Sequence, residues 1–378
     1  MQQYHKQMKK ILVVFSRALP PIINGSNKCV WDYCQMLSKL GYEIFFLCEG
    51  ERTKALDAVK FWGDHIYFFK RTIFTRIFFR IKRDINRIFK YNAIYYTSSS
   101  VTRKIEKLHY IHKFDTIIVN YIFNSKCLKR CSIPQKIIFT HDSFIYRNER
   151  LAISNGYNLT PNQEARALNR ADYILSIQQN ESILYKYLCP SKKIYTVYTP
   201  FEIRRQNLTG NKNILFLASN NKVNRNGLML FVDKIFPLIL KEEMEFKLII
   251  GGSICESINS MLFPQNIELY GKVDDLDDFY QKGDIAINPV YQGTGLKIKT
   301  FEALSYGKVV VVHPHSLEGV YLLEKIPLLV GETPQEYSFQ ILRVLKDVSL
   351  RQKYSNEAIS YIQSLNKYIE LEYRKILE

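Results

Sequence analysis

Residues 289–312 read PVYQGTGLKIKTFEALSYGKVVVV, framed by the apolar run Ile285–Asn288 before and closed by another, Val309–Val312. The pattern predicts a buried strand, a small-residue turn at Gly293-Thr294-Gly295, and a helix carrying Lys297, Lys299 and Glu302. The helix stops at Gly307, and a second buried strand follows. A turn of this kind feeding a helix offers free backbone N–H groups and the positive end of the helix dipole, which suits a phosphate. Lys297 and Lys299 add charge, and Glu302, acceptor-only when ionised, suits a pair of sugar hydroxyls. Read alone, Gly-Thr-Gly is equally a plain strand-to-helix turn with solvated lysines beside it.

At 378 residues the chain has room for two domains of ordinary size, and with 47% hydrophobic and 24% charged residues it is ordinary globular material. No run approaches the roughly 18 apolar residues of a membrane span. The start, MQQYHKQMKK, leads directly into the short apolar run Ile11–Phe15, which lacks the features of a secretory leader, so a cytoplasmic location is expected. Seven scattered cysteines without CxxC spacing read as free thiols rather than a disulfide or zinc framework. The net charge of +17 is uneven: between His65 and Arg130 there are 15 Lys or Arg against three acids. That excess predicts contact with an anionic surface in the first half of the chain.

The first half repeats the strand–loop–helix plan. Lys9–Phe15 reads as a parallel strand, and residues 16–26 as a loop containing Pro20, Pro21, Asn24 and Gly25. Val30–Leu40 reads as a helix ending at Gly41, and Ile44–Cys48 as the next strand. This βαβ unit makes a doubly wound sheet the expected architecture. In residues 70–90, Arg76, Arg80, Arg83, Arg87 and Lys90 share one face of a helical wheel, and Phe74, Ile77, Phe78, Ile81, Ile85, Ile88 and Phe89 share the opposite one. Such a helix can lie in a membrane interface with its cations on anionic headgroups, or pack its apolar stripe on the sheet. Thr116–Asn120 and Lys136–Thr140 are further strands. The second delivers His141 and Asp142 at its carboxyl end, where ligands of open α/β sheets bind. Glu164, the pair Ala171-Asp172 and a strand Tyr173–Ile177 come next, ending near Gln178 and Glu181. Asp172 reads as a capping or orienting group, and Ser176 and Gln178 are weaker candidates.

Residues 195–213 read as an interdomain linker. Then come the strand Ile214–Ala218, the polar turn 219–227 with Ser219, Lys222, Asn224 and Arg225, and an apolar-periodic helix Leu228–Leu240. Strands Phe246–Ile250 and Ile267–Tyr270 end at Gly251-Gly252 and at Gly271-Lys272-Val273. Asp275–Tyr280 and Asp284 precede the opening stretch, Leu317-Glu318-Gly319 follows it, and residues 350–378 read as one or two helices.

Taken together, Glu302-Ala303-Leu304 with Gly307, the turn 219–227 and the glycine-ended strands resemble glycosyltransferase family 4 and its relatives, enzymes of the GT-B fold. The commoner form of the pattern has a first Glu where this chain has Thr294; a branch with Gly-x-Gly followed by Lys is the more similar. The resemblance implies two Rossmann-like, doubly wound α/β domains facing a cleft. An acceptor-binding domain would span 1–200 and a nucleotide-sugar domain 201–350, with a helical segment 351–378 returning to the first.

It further implies a hexosyltransferase-like enzyme of bacterial cell-surface polysaccharide synthesis, moving a sugar from a nucleoside diphosphate to a glycan or lipid-linked glycan, with retention. No metal or cofactor is implied. Gly25, Ser219, Asn224, Gly271, Val273, Gly293, Thr294, Gly295, Lys297, Lys299 and Glu302 would hold the donor. Lys222 and Arg225 would meet the departing diphosphate, and His141 and Asp142 would sit by the sugar or acceptor. Residues 70–90 would dock on the inner membrane face, and nucleic acid is not an expected partner. Two rivals remain open: a sugar-nucleotide epimerase of the same fold, and a nonenzymatic basic binder of nucleic acid or anionic lipid.

Overall fold

The computed structural model describes residues 8–22, 24–70, 77, 81, 99–151, 157–258, 261 and 263–378. Apart from Lys70, Ile77 and Ile81, the amphipathic stretch 70–90 therefore lies outside the described residues. The chain forms two compact units, Met1–Pro200 with Ile369–Glu378, and Phe201–Tyr368.

The first unit is a parallel sheet of seven strands: β1 (Lys10–Phe15), β2 (Glu43–Glu49), β3 (Ile66–Phe69), β4 (Thr116–Asn120), β5 (Gln135–Phe139), β6 (Tyr173–Ser176) and β7 (Lys193–Thr196). Their order is β3-β2-β1-β4-β5-β6-β7. Helices cover both faces of such a sheet, so its inner strands must be apolar throughout; Ile11, Leu12, Val13 and Val14 are fully buried. The order reverses between β1 and β4, which creates a crevice at their carboxyl ends.

The first helix runs Gly25–Lys39, with Asn24 as N-cap accepting from the Asn27 N–H, and the chain turns at Gly41 with φ +90°. Gly25 is therefore the first residue of a helix and not part of a loop, because the Asn24 cap, six residues ahead of the apolar stripe at Val30, satisfies the orphan N–H of Asn27. The strand β7, Lys193–Thr196, takes in Tyr195 and Thr196, the first two residues of the expected linker, as an edge strand. Its register with β6 continues the sheet, with Lys193 exposed and Ile194, Tyr195 and Thr196 half-buried.

The second unit is a six-stranded parallel sheet: β8 (Ile214–Leu217), β9 (Leu248–Gly251), β10 (Ile267–Gly271), β11 (Ile285–Asn288), β12 (Val309–Val312) and β13 (Leu328–Val330), in the order β10-β9-β8-β11-β12-β13. Its crevice lies between β8 and β11. The helix after β8 begins at Lys222, earlier than the apolar periodicity indicated, because the Asn221 side chain accepts from the Asn224 N–H. It continues through a π-turn at Phe231–Ile235 into a helix Phe236–Glu242.

At the opposite, amino end of β11, buried Asp284 accepts from the Thr209 and Gly210 N–H groups (2.8 and 2.9 Å) and from Thr209 Oγ1, an anchoring role remote from the crevice. The C-terminal segment is one helix, Val348–Leu377, of 30 residues. Buried Arg351 near its start donates to the Val344 and Leu345 carbonyls, satisfying the end of the preceding helix Pro334–Lys346. All seven cysteines are buried free thiols. Among the described residues no helix is long and apolar enough to cross a membrane.

Candidate functional site

In the second unit, the crevice is built first by the chain leaving β11. Gly293 and Gly295 have φ of +131° and +69°, values that an L side chain rarely adopts, so the turn needs glycine at both places. Lys297 stands at the N-cap of the helix Ile298–Ser305 and its ammonium donates to the Gly295 carbonyl at 3.1 Å. Glu302 is buried inside that helix, and Tyr280 Oη donates to its Oε1 at 3.3 Å. Asn288, the last residue of β11, donates through Nδ2 to Thr300 Oγ1 and Ser316 Oγ, both at 3.0 Å. One amide therefore ties the strand end, the helix and the loop after β12 together.

The chain leaving β8 meets this turn. Asn224 is buried and donates to the Ser219 carbonyl at 2.9 Å, while its Oδ1 accepts from Lys299 Nζ at 2.6 Å. Half-buried Lys299 also lies 4.9 Å from the Phe216 ring centroid. Burial, with Lys297 adding repulsion, lowers its pKa to about 7. Ser219, Asn224 and Lys299 are thus brought together. Lys222 and Arg225 are both exposed, and Arg225 donates to Asn220 Oδ1 at 3.0 Å. Starting the helix at Lys222 turns its first-turn cations outward and leaves Asn224 on the buried side.

The ends of β9 and β10 lie on the far side of β8. A Cβ on Gly252, with φ +97°, would stand 2.3 Å from the Ala218 carbonyl oxygen. Gly252 N–H donates to the Gly271 carbonyl at 2.8 Å, and Gly271 has φ +85°. Glycine at 252 is required by its close approach to the Ala218 backbone, on the chain leaving β8. Val273 packs over Gly251, where a Cβ would meet its Cγ2 at 2.9 Å.

The loop after β12 adds residues that the pattern reading passed over. His315 Nδ1 lies 3.1 Å from Glu318 Oε1, and the His315 N–H donates to His313 Nδ1 at 3.2 Å. His315, Asn288 and Tyr280 carry no motif. The available signal was position: Asn288 and the His-Pro-His run both stand at the carboxyl end of a parallel strand.

In the first unit, His141 follows β5 with φ +61° and is 6% exposed. Its Nε2 is 2.7 Å from Asn120 Oδ1, and Asn120 Nδ2 donates to the Val14 carbonyl at 3.2 Å and to Tyr33 Oη at 2.8 Å. Since a carbonyl only accepts, Asn120 must present its oxygen to the imidazole; the proton then sits on Nε2 and Nδ1 is left as an acceptor. Burial lowers the His141 pKa to about 3, so the ring is neutral.

Asp142 forms an ion pair with Arg147 at 3.1 Å. Buried Glu164 and Glu181 hold the following turn: Glu164 accepts from the Phe144 N–H at 2.9 Å and Glu181 from the Ser143 N–H at 3.2 Å. Burial raises the Glu164 pKa to about 7 and raises that of Glu181 well above the carboxylate range, with Asp142 adding repulsion. Asp172 accepts from the Lys136 N–H at 3.1 Å at the start of β5, and Gln178 caps the helix Gln179–Leu188. Gly25 starts the helix beside Ser26, whose hydroxyl accepts from Tyr121 Oη at 2.6 Å.

Residues 211–347, within the second unit, match the family model described as glycosyl transferases group 1. A Klebsiella pneumoniae protein, described as an uncharacterised 44.6 kDa protein in the cps region, is 23% identical over 381 aligned residues, covering 94% of this chain and 96% of that one. Among solved structures, TarM of S. aureus superposes with a TM-score of 0.73 at 11% identity over 99% of both chains. Sucrose-phosphate synthase of Thermosynechococcus elongatus gives 0.68 at 13% identity over 97% of this chain and 98% of that one. HepE of Anabaena, in complex with UDP and glucose, gives 0.63 at 13% identity over 97% and 99%. The fold is therefore GT-B, and with the group 1 match it supports a glycosyltransferase.

Proposed function

We propose that this GT-B glycosyltransferase moves a sugar from a nucleoside diphosphate to a hydroxyl of a glycan or lipid-linked glycan, with retention of anomeric configuration. The observation that carries the reading is the contact between Lys299 and Asn224, which joins the Gly293–Gly295 turn to the Ser219 turn at the crevice of the second sheet. Backbone N–H groups of the two turns, Lys297 and Lys299 would hold the diphosphate, with no metal required. Glu302, buried beside Tyr280, would accept from the ribose hydroxyls. In transfer the bond from the anomeric carbon to the diphosphate breaks, the acceptor oxygen bonds to that carbon, and its proton passes to the departing phosphate. Charge growing on that phosphate is what the fixed donors stabilise.

His141 would offer its bare Nδ1 to a hydroxyl of the sugar or acceptor, and Asp142 would act through the same turn. The first unit would bind the acceptor. Because TarM and HepE have been crystallised with UDP, a uridine donor is the first to test. The relative in a cps region supports a role in surface polysaccharide synthesis. The basic face of 70–90 would hold the enzyme on the inner leaflet, near a lipid-linked acceptor. The experiment is a screen of UDP-, GDP- and dTDP-sugars for hydrolysis and transfer by the purified chain, with and without EDTA. Turnover of one class that survives chelation supports the reading, and dependence on added magnesium contradicts its metal-free part.

A further inference from the structure

The loop after β12 places an imidazole against the phosphate-binding turn. His315 is largely enclosed, with a side chain 14% exposed, and its two ring nitrogens have different surroundings. Nδ1 faces the Glu318 carboxylate at 3.1 Å. Nε2 is buried and makes no hydrogen bond of regular geometry among the described residues, although the Gly293 backbone beside it favours the protonated ring. A Cβ built on Gly293 would lie 3.8 Å from this Nε2 and 4.0 Å from Lys297 Nζ, so imidazole and ammonium converge on the same point of the turn. The loop itself is fixed, because Ser316 Oγ accepts from Asn288 and the His315 N–H donates to His313. A buried polar atom without a partner costs stability unless a ligand or solvent completes it. Here that atom faces a turn with two left-handed glycines and a lysine.

We infer that His315 is a donor-contact residue: protonated on binding, it donates from Nε2 to the diphosphate held by the Gly293–Gly295 turn, while Glu318 stabilises the imidazolium through Nδ1. This rests on the reading of the crevice as a nucleoside diphosphate site. Burial first, and Lys297 second, lower the pKa of His315 in the empty site, against the upward pull of Glu318 and the Gly293 backbone. A doubly negative phosphate arriving beside Nε2 reverses that balance, so binding near neutral pH takes up a proton at this ring. The facing titratable groups are Lys297 on the turn, and Glu318 and His313 on the loop. Lys299 also takes up protons, but it does so with or without His315.

The test is calorimetry of UDP, GDP and dTDP binding at pH 7 in two buffers of different ionisation enthalpy, which counts protons. Wild type, His315→Gln, His315→Ala and Glu318→Gln are compared, each checked for an unchanged thermal transition. For the nucleotide that wild type binds, proton uptake is expected to drop in His315→Gln, which retains an N–H donor but cannot titrate. His315→Ala is expected to weaken diphosphate binding by roughly tenfold or more. Binding of the matching monophosphate should weaken less. Wild-type affinity in His315→Ala, or equal proton uptake in wild type and His315→Gln, overturns the inference alone. A wild type that binds none of the three nucleotides overturns the underlying reading as well.

Discussion

Lys299 connects the two turns of the crevice, and its chemistry makes affinity for the donor depend on pH. Burial and Lys297 hold its pKa at about 7, so about half of it is charged at pH 7 and about one part in a hundred at pH 9. A bound diphosphate favours the ammonium and lifts the pKa. Affinity is therefore full below pH 7 and falls as pH rises, until the pKa of the bound state is reached. Each pH unit in that window costs about 1.4 kcal/mol, and between pH 7 and 9 the titration of Lys299 by itself lowers the affinity for a nucleoside diphosphate about fiftyfold, with any proton taken up at His315 adding to the fall. The diphosphate contributes little to this slope, because its last proton, with a pKa of about 6, is already lost.

Lys299→Met keeps the chain length and removes the charge. It should bind weakly at pH 7 and show a flatter profile to pH 9. It also leaves Asn224 Oδ1 without its 2.6 Å donor, a stability cost of about 1–3 kcal/mol that thermal unfolding must register separately. Calorimetry of UDP binding at pH 7, 8 and 9 reads the slope. A wild-type affinity constant over that range, or an equal fall in Lys299→Met, would refute the reasoning.

Gly252→Ala tests the packing of the strand ends: its Cβ would stand 2.3 Å from the Ala218 carbonyl at a φ of +97°, so a loss of about 3 kcal/mol is expected, read as a lowered midpoint in thermal unfolding. An unchanged midpoint would mean that this backbone approach is not maintained in solution. For the stretch 70–90, liposome flotation should show wild type on anionic vesicles and released by salt, since each cation at the surface contributes about 1 kcal/mol. The combined Arg76→Glu, Arg80→Glu, Arg83→Glu and Arg87→Glu variant should stay in solution; equal flotation of both proteins removes the membrane role.

The sheets were legible because parallel strands buried on both faces are continuous apolar runs: Thr116–Asn120, Ile285–Asn288 and Val309–Val312 have the same bounds in sequence pattern and structure. Of the four edge strands, only Ile267–Gly271 was read, and the other three were not. Ile66–Phe69, Lys193–Thr196 and Leu328–Val330 take their strand character from a neighbour's backbone, which no local pattern records. Helix starts moved wherever an Asn cap preceded the apolar stripe, at Asn24 and Asn221, and this changed the surroundings of Gly25, Lys222 and Arg225. Within the site, the Gly-x-Gly turn and Lys299 stand out by residue type and spacing. Asn288, Tyr280 and His315 do not, because their roles come from partners distant in sequence, such as Ser316 for Asn288 and Glu302 for Tyr280. The polar surroundings of His141, built from Asn120 and Tyr33, are likewise assembled only when β1, β4 and β5 lie side by side.

The central claim is that the crevice between β8 and β11 holds a nucleoside diphosphate sugar. Its most direct measurement is binding of UDP, GDP and dTDP to the purified full chain by calorimetry, with Glu302→Ala as the paired variant. One of the three should bind wild type, with affinity unaffected by EDTA. Glu302→Ala should lose about 1.5–3 kcal/mol, the worth of a charge-assisted hydrogen bond, with its fold intact. A wild type that binds none of them, or a folded Glu302→Ala that binds as tightly as wild type, would contradict the account of this site.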